Sequence, residues 1–190
     1  MCARYSLHSD PQAVARHFGL DALPAFAPSY DIAPQASALM VRAEGAVLAH
    51  WGFRAGVHHA RAETLGVKLS FREAYHRRRC LIPANGFYEW KGEGESKQAY
   101  YLRPAQRELF AFAALWERWQ GRESFCVITV EASFALRAIH ERMPVVIAPE
   151  HYAGWLHGEE GLLRPAPHNA IRSDPVGAAL DSEIQKSVFN

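Results

Sequence analysis

The chain has 190 residues, 49% of them hydrophobic and 22% charged, which is enough apolar content for one well-buried domain and short for two. A formal net charge of +1 gives no global field, so binding to a polyanion has to rest on a local basic patch. Three scattered cysteines, Cys2, Cys80 and Cys126, fit reduced intracellular thiols better than a disulfide framework. Neither a signal-peptide pattern nor an apolar run of about eighteen residues is present, so the sequence predicts a soluble, cytoplasmic protein without a membrane partner.

The chain opens on Met1-Cys2-Ala3-Arg4. If an aminopeptidase removes Met1, which a small second residue permits, Cys2 carries a thiol and a free α-amine on one carbon. An α-amine titrates near ~7.7, against ~10.4 for lysine, so a sizeable fraction is neutral and nucleophilic at neutral pH. It can form a Schiff base with an aldehyde, and the thiol can then close a five-membered thiazolidine. The bland alternative is an incidental residue on a frayed terminus.

Asp10-Pro11, followed by Val14, Phe18 and Gly19, predicts one short helix. Residues 21–36 hold Pro24, Pro28 and Pro34 and read as an extended surface loop through Tyr30-Asp31-Ile32-Ala33-Pro34. The apolar runs 38–41 and 47–53, flanking Glu44-Gly45, read as a hairpin that delivers Trp51 and Phe53 to one end. Residues 54–69 read as a loop. Ser70 with Glu73 has the capping-box pattern, and the helix it opens runs into Arg77-Arg78-Arg79, arginines that suit a solvated helix C-terminus or a phosphate.

Residues 80–90 read as strand, a kink at Asn85-Gly86, and strand again. A polar turn over 91–97 precedes three further strands, at 100–102, 109–116 and 125–130. Residues 132–140 have helical spacing, 145–147 are a strand and 149–156 a short helix. The remainder has no clear pattern. The count favours an α+β chain, a mostly antiparallel, partly closed sheet with short flanking helices.

Three features bear on Cys2. Alternation along Phe87-Tyr88-Glu89-Trp90 puts Phe87 and Glu89 on one face, where apolar surroundings raise a carboxyl's pKa and suit it to Schiff-base proton transfer; an edge glutamate facing solvent is the alternative. His140 closes its helix, where the negative end of the dipole favours imidazolium and makes it an acid able to open a sugar hemiacetal; a structural C-terminal histidine fits the spacing equally. Arg4 and Arg61 could hold phosphates while Trp51 and Phe53 offer a face for base stacking, although arginine pairs and buried tryptophans are common in any core.

Taken together, Met-Cys-x-Arg-Tyr at the N-terminus, 30–34, Trp51-Gly52-Phe53, Ala60-Arg61-Ala62-Glu63-Thr64, 79–90 and Ile139-His140-Glu141-Arg142-Met143-Pro144 resemble, in order, the SOS response-associated peptidase family, the abasic-site-processing proteins. The resemblance is strongest over residues 1–150 of one domain spanning 1–190. It implies a monomer with an antiparallel barrel-like sheet and a basic groove for single-stranded DNA, nucleoid-associated when bound. It implies an enzyme that removes its own Met1 and crosslinks to the ring-opened sugar of an abasic site by lyase-type Schiff-base chemistry. Cys2 is then the nucleophile, Glu89 handles Schiff-base protons and His140 opens the sugar; Arg4, Trp51, Gly52, Arg61, Thr129 and Arg142 fall where the family contacts DNA. No metal or organic cofactor is implied. Ala3 stands where the family usually has glycine, and His59 where an asparagine helps orient the reacting sugar. Two other classes compete: an N-terminal-nucleophile cysteine peptidase or amidohydrolase, and a non-catalytic single-strand-binding module.

Overall fold

A computed structural model describes residues 3–53, 56–92, 97–167 and 169–177. Strand β1 (Arg4–Leu7) leads into helix α1 (Pro11–Phe18), which starts and stops where its sequence predicts. The Asp10 carboxylate accepts from the Gln12 N–H at 2.8 Å, Pro11 occupies the first turn, and Gly19 ends the helix in the left-handed region at φ 63°. Residues 29–32, expected in a loop, instead form β2 (Ser29–Ile32) against β1, with Tyr5 opposite Ile32. The segment has no alternation of its own and becomes a strand by pairing.

The hairpin of β3 (Ser37–Arg42) and β4 (Gly45–Trp51) forms as predicted, with Leu39 opposite Leu48. Within 54–69, expected as loop, β5 (His59–Arg61) and a 3-10 turn over Ala62–Thr64 are present. Helix α2 (Leu69–Arg77) begins before the expected cap, with Lys68 at the cap position and no side-chain cap bond; Glu73 instead pairs with Arg78 at 2.6 Å. Nor is Arg79 solvated. Its guanidinium lies 4.5 and 4.6 Å from the ring centroids of Tyr75 and Trp155, donates to two backbone carbonyls and is buried.

The barrel is made by β3, β4, β6 (Arg79–Ala84), β9 (Phe110–Trp119) and β10 (Arg122–Glu131). It closes because β9 pairs with β6 on one edge and β10 on the other, while β10 runs parallel to β4. Where β4 leaves β10 at Trp51, β5 takes its place, also parallel. The barrel interior is filled by one apolar cluster that includes Trp51, Phe112, Phe125 and Leu115. Helix α3 (Phe134–Arg137) follows, then β11 (Arg142–Pro144) on β10 and β12 (Val146–Ile147) on β9. Helix α4 (Tyr152–Leu156) packs on β6.

A second sheet runs in the order β13 (Ile171–Val176), β8 (Gln98–Pro104), β7 (Gly86–Lys91), β1, β2. Asn85 joins the two sheets: its Oδ1 accepts from the His8 and Ser9 N–H groups at 2.7 and 3.0 Å, and its Nδ2 donates to Ser9 Oγ and the Glu108 carbonyl at 2.6 and 3.0 Å. The next residue is glycine because a Cβ on Gly86 would lie 2.3 Å from the Tyr101 ring. The expected mostly antiparallel barrel-like sheet with short helices is the one observed. No helix among the described residues is long and apolar enough to cross a membrane.

Candidate active site

Strand β7 sets the centre of the site. Phe87 faces the barrel core, whereas Tyr88 and Trp90 join a second cluster with Tyr101 and Val176 on the opposite face, as the alternation predicts. Glu89 therefore points inward. It is 3% exposed and lines a narrow cleft with Phe87, Leu102, Leu136, Ile139, His140 and Arg142. Burial pushes its carboxyl up to about 7, and the positive charge of the chain's amino terminus pulls the other way. Arg4 lies opposite Tyr88, beside Glu89, with its Nε 3.4 Å from Asp31. Cys2 lies outside the described residues.

His140 reaches the same cleft from the end of α3, but its expected preference for the charged form is not observed. Its pKa is lowered, first by burial and then by the amino-terminal charge, against opposing effects of the Arg142 carbonyl and Glu141. Helix α3 is one four-residue turn, too short for its dipole to outweigh desolvation. The Arg142 N–H lies 2.9 Å from His140 Nδ1, and an N–H can only donate, so neutral His140 carries its proton on Nε2. The Arg142 carbonyl, 3.1 Å from the same nitrogen, is placed to accept once Nδ1 is protonated. Both protonation states have a partner.

Beyond the cleft, the Arg142 guanidinium donates to Glu63 at 2.7 and 3.1 Å and to the Thr129 carbonyl at 2.8 Å. Arg61 is exposed and pairs in register with Thr129. Thr129 is fully buried, and Arg142 lies on its carbonyl and hydroxyl. Trp51 and Phe53, expected to offer a face for base stacking, are turned inward in this structure. Trp51 is 0% exposed, lies parallel to Phe125 at 6.1 Å and donates from Nε1 to the His58 carbonyl; Phe53 is also buried. An indole that fills a barrel end leaves no face for a base.

Gly52 adopts φ 140°, and a Cβ there would lie 3.0 Å from the His58 ring, so the backbone turn beside Trp51 requires glycine. His59 is half-buried and edge-on to Trp51, 5.7 Å away, on the same strand face as Arg61. Glu89, His140 and Arg142 are thus brought together, with Arg61 and Thr129 adjoining; Trp51, Gly52 and His59 lie further along β10. Sequence reasoning missed Glu63, the partner of Arg142, although a carboxylate two residues from Arg61 was a signal for it. Among the described residues no group of three or more His, Cys, Asp or Glu is placed to hold a metal.

The model of the SOS response associated peptidase (SRAP) family matches residues 1–183. The Abasic site processing protein YobE of Bacillus subtilis is 33% identical, over 96% of this chain and 97% of that protein. The Abasic site processing protein YedK of Escherichia coli is 29% identical, over 68% of this chain and 65% of that protein. A crystal structure of a protein from Bacteroides thetaiotaomicron shares the fold, with a TM-score of 0.86 at 22% identity and 93% coverage of both chains.

Proposed function

Since the chain belongs to the SOS response-associated peptidase family, we propose that it binds single-stranded DNA at abasic sites and links to the lesion through Cys2 once Met1 is removed. The observation that carries this reading is the buried Glu89 carboxyl, raised to about 7, sharing an apolar cleft with His140. Arg4, two residues after Cys2, pairs beside Glu89, and two residues of chain span at most about 7 Å. The names of the relatives point the same way.

Hydrolysis of the Met1–Cys2 bond consumes one water and exposes the α-amine. His140, once protonated, gives its proton to the ring oxygen of the abasic sugar, and the hemiacetal opens to an aldehyde as its anomeric hydroxyl gives up a proton. The Cys2 amine adds to that carbon and passes one proton to the new oxygen, Glu89 protonates the resulting hydroxyl so that it departs as water, and the iminium returns its remaining N–H proton to the Glu89 carboxylate to leave an imine. The Cys2 sulfur then adds to the imine carbon while the nitrogen gains a proton. Aldehyde and aminothiol thus become a thiazolidine plus one water. A carboxyl near 7 serves as acid and base at neutral pH with little bias.

The test is a denaturing gel after incubation with an abasic single strand. A shifted band whose mass equals protein minus Met1, plus DNA, minus one water is expected. Cleavage of a peptide or amide substrate without a shift favours an N-terminal-nucleophile hydrolase, and neither outcome leaves a binding module.

A further inference from the structure

At the other end of β10 from Thr129, a cleft of about 260 Å³ is lined by His50, Gly52, Trp119, Arg122 and Ser124. Arg122 opens β10 opposite Trp119, across a turn in which Gln120 and Gly121 have φ 50° and 78°, the signature of a tight hairpin. Trp119 is 47% exposed, a large aromatic left at the surface at the end of β9. Arg122 is exposed and has no acidic partner among the described residues. Glu117, opposite Ser124, brings a carboxylate to the same face but is only 8% exposed.

The wall facing this pair is fixed by one amide. Gln35, held in the left-handed region at φ 77°, accepts at Oε1 from His50 Nε2 at 3.0 Å and donates from Nε2 to His58 Nε2 at 2.8 Å. An amide oxygen only accepts and an amide nitrogen only donates, so His50 carries its proton on Nε2 and His58 Nε2 is bare. Burial and the nearby Arg122 and His58 lower the His50 pKa, against the opposing hydrogen bond with Gln35. A surface with an exposed guanidinium, an exposed indole and polar imidazole edges suits a nucleotide, with its phosphate on the arginine and its base on the ring.

We propose that Trp119 and Arg122 form a second nucleotide subsite, gripping the DNA strand at a distance from the reacting sugar. This rests on the abasic-site reading above and extends it to residues the family resemblance does not assign. From Thr129 to Arg122 β10 runs about 23 Å at ~3.3 Å per residue, so a strand must extend several nucleotides beyond the lesion to reach the cleft.

The test compares abasic strands of about five and about fifteen nucleotides, the longer extended on either side of the lesion in turn, with undamaged strands of both lengths. Trp119→Ala and Arg122→Gln alter exposed side chains outside the catalytic cleft. On the short strand both should crosslink at the wild-type rate. On one of the extended strands the wild type should bind more tightly, and Trp119→Ala should weaken binding by roughly 5- to 100-fold. Arg122→Gln should lower the slope of log affinity against log salt by about 0.7. Equal affinity of wild type and variants for every extended strand overturns the subsite, as does an equal loss on the short strand. Absence of crosslinking on all strands instead removes the abasic-site reading, and binding to undamaged strands still decides the subsite.

Discussion

Arg142 holds Glu63 through both terminal nitrogens, at 2.7 and 3.1 Å, while donating to the Thr129 carbonyl at 2.8 Å. The arginine that closes the Glu89 cleft is therefore neutralised from the 3-10 turn after β5. A phosphate approaching Arg142 competes with a carboxylate already in place, and that competition sets how much the arginine contributes to DNA affinity.

Glu63→Gln should free that charge. Affinity for single strands should rise several-fold at low salt, with the salt slope steeper by up to about 0.7, and stability should fall by less than ~1 kcal/mol because the pair is partly exposed. Fluorescence anisotropy across a salt series reads both; lower affinity in the variant would mean that Glu63 orients Arg142 for binding.

Glu89 makes stability depend on pH in a direction unusual for a carboxylate. Its folded value of about 7 exceeds the ordinary 4.5, so between these pH values the folded state holds a proton that the unfolded state has lost. Stability contributed by this group therefore falls as pH rises from about 4.5 to about 7 and is constant above. Glu89→Gln should stabilise the protein at pH ~8 by up to roughly 3 kcal/mol and leave it unchanged near pH ~4. Urea denaturation at the two values checks the sign.

In the crosslinking reaction, Glu89→Gln and His140→Ala should each slow adduct formation by roughly 10²- to 10⁴-fold, with little change in affinity for undamaged strands. The wild-type rate should be bell-shaped, rising as the amine loses its proton and falling as His140 and Glu89 lose theirs, and Glu89→Gln should keep only the part of the alkaline limb that belongs to His140. Parallel loss of binding and rate would place these residues in recognition.

Blocking the amine tests the chemistry directly. A peptide extension before Cys2 should abolish the adduct, whereas Cys2→Ala, which retains the amine, should leave a Schiff base that borohydride traps. Normal crosslinking by an untrimmed extension, read by intact mass, would rule out imine formation at the terminus.

Gly86→Ala should destabilise by about 1–3 kcal/mol, since its Cβ would meet the buried Tyr101 ring. Gly66→Ala, where a Cβ meets nothing within 4 Å, is the control. Equal denaturation midpoints for the two variants would show that the Tyr101 side moves freely.

What the sequence determined by itself was local. The Asp10 cap and Gly19 stop of α1, the β3–β4 hairpin, the Asn85-Gly86 kink and the division of β7 into a Phe87–Glu89 face and a Tyr88–Trp90 face each follow from residues within a few positions of one another. The chemistry proposed for Cys2, Glu89 and His140 was legible for the same reason, because functional groups and their order are written in the chain. Pairing and desolvation are not local. Strand β2 exists because Ile32 meets Tyr5, β5 because β4 vacates the edge of β10, and β13 because Ile171 meets Pro104. Tertiary packing put Trp51 inside the barrel rather than under a base, set burial against the helix dipole at His140, and placed Glu63 on Arg142 across 79 positions of sequence. Each outcome depends on which distant atoms exclude water from a group, and that quantity exists only once the chain has closed around it.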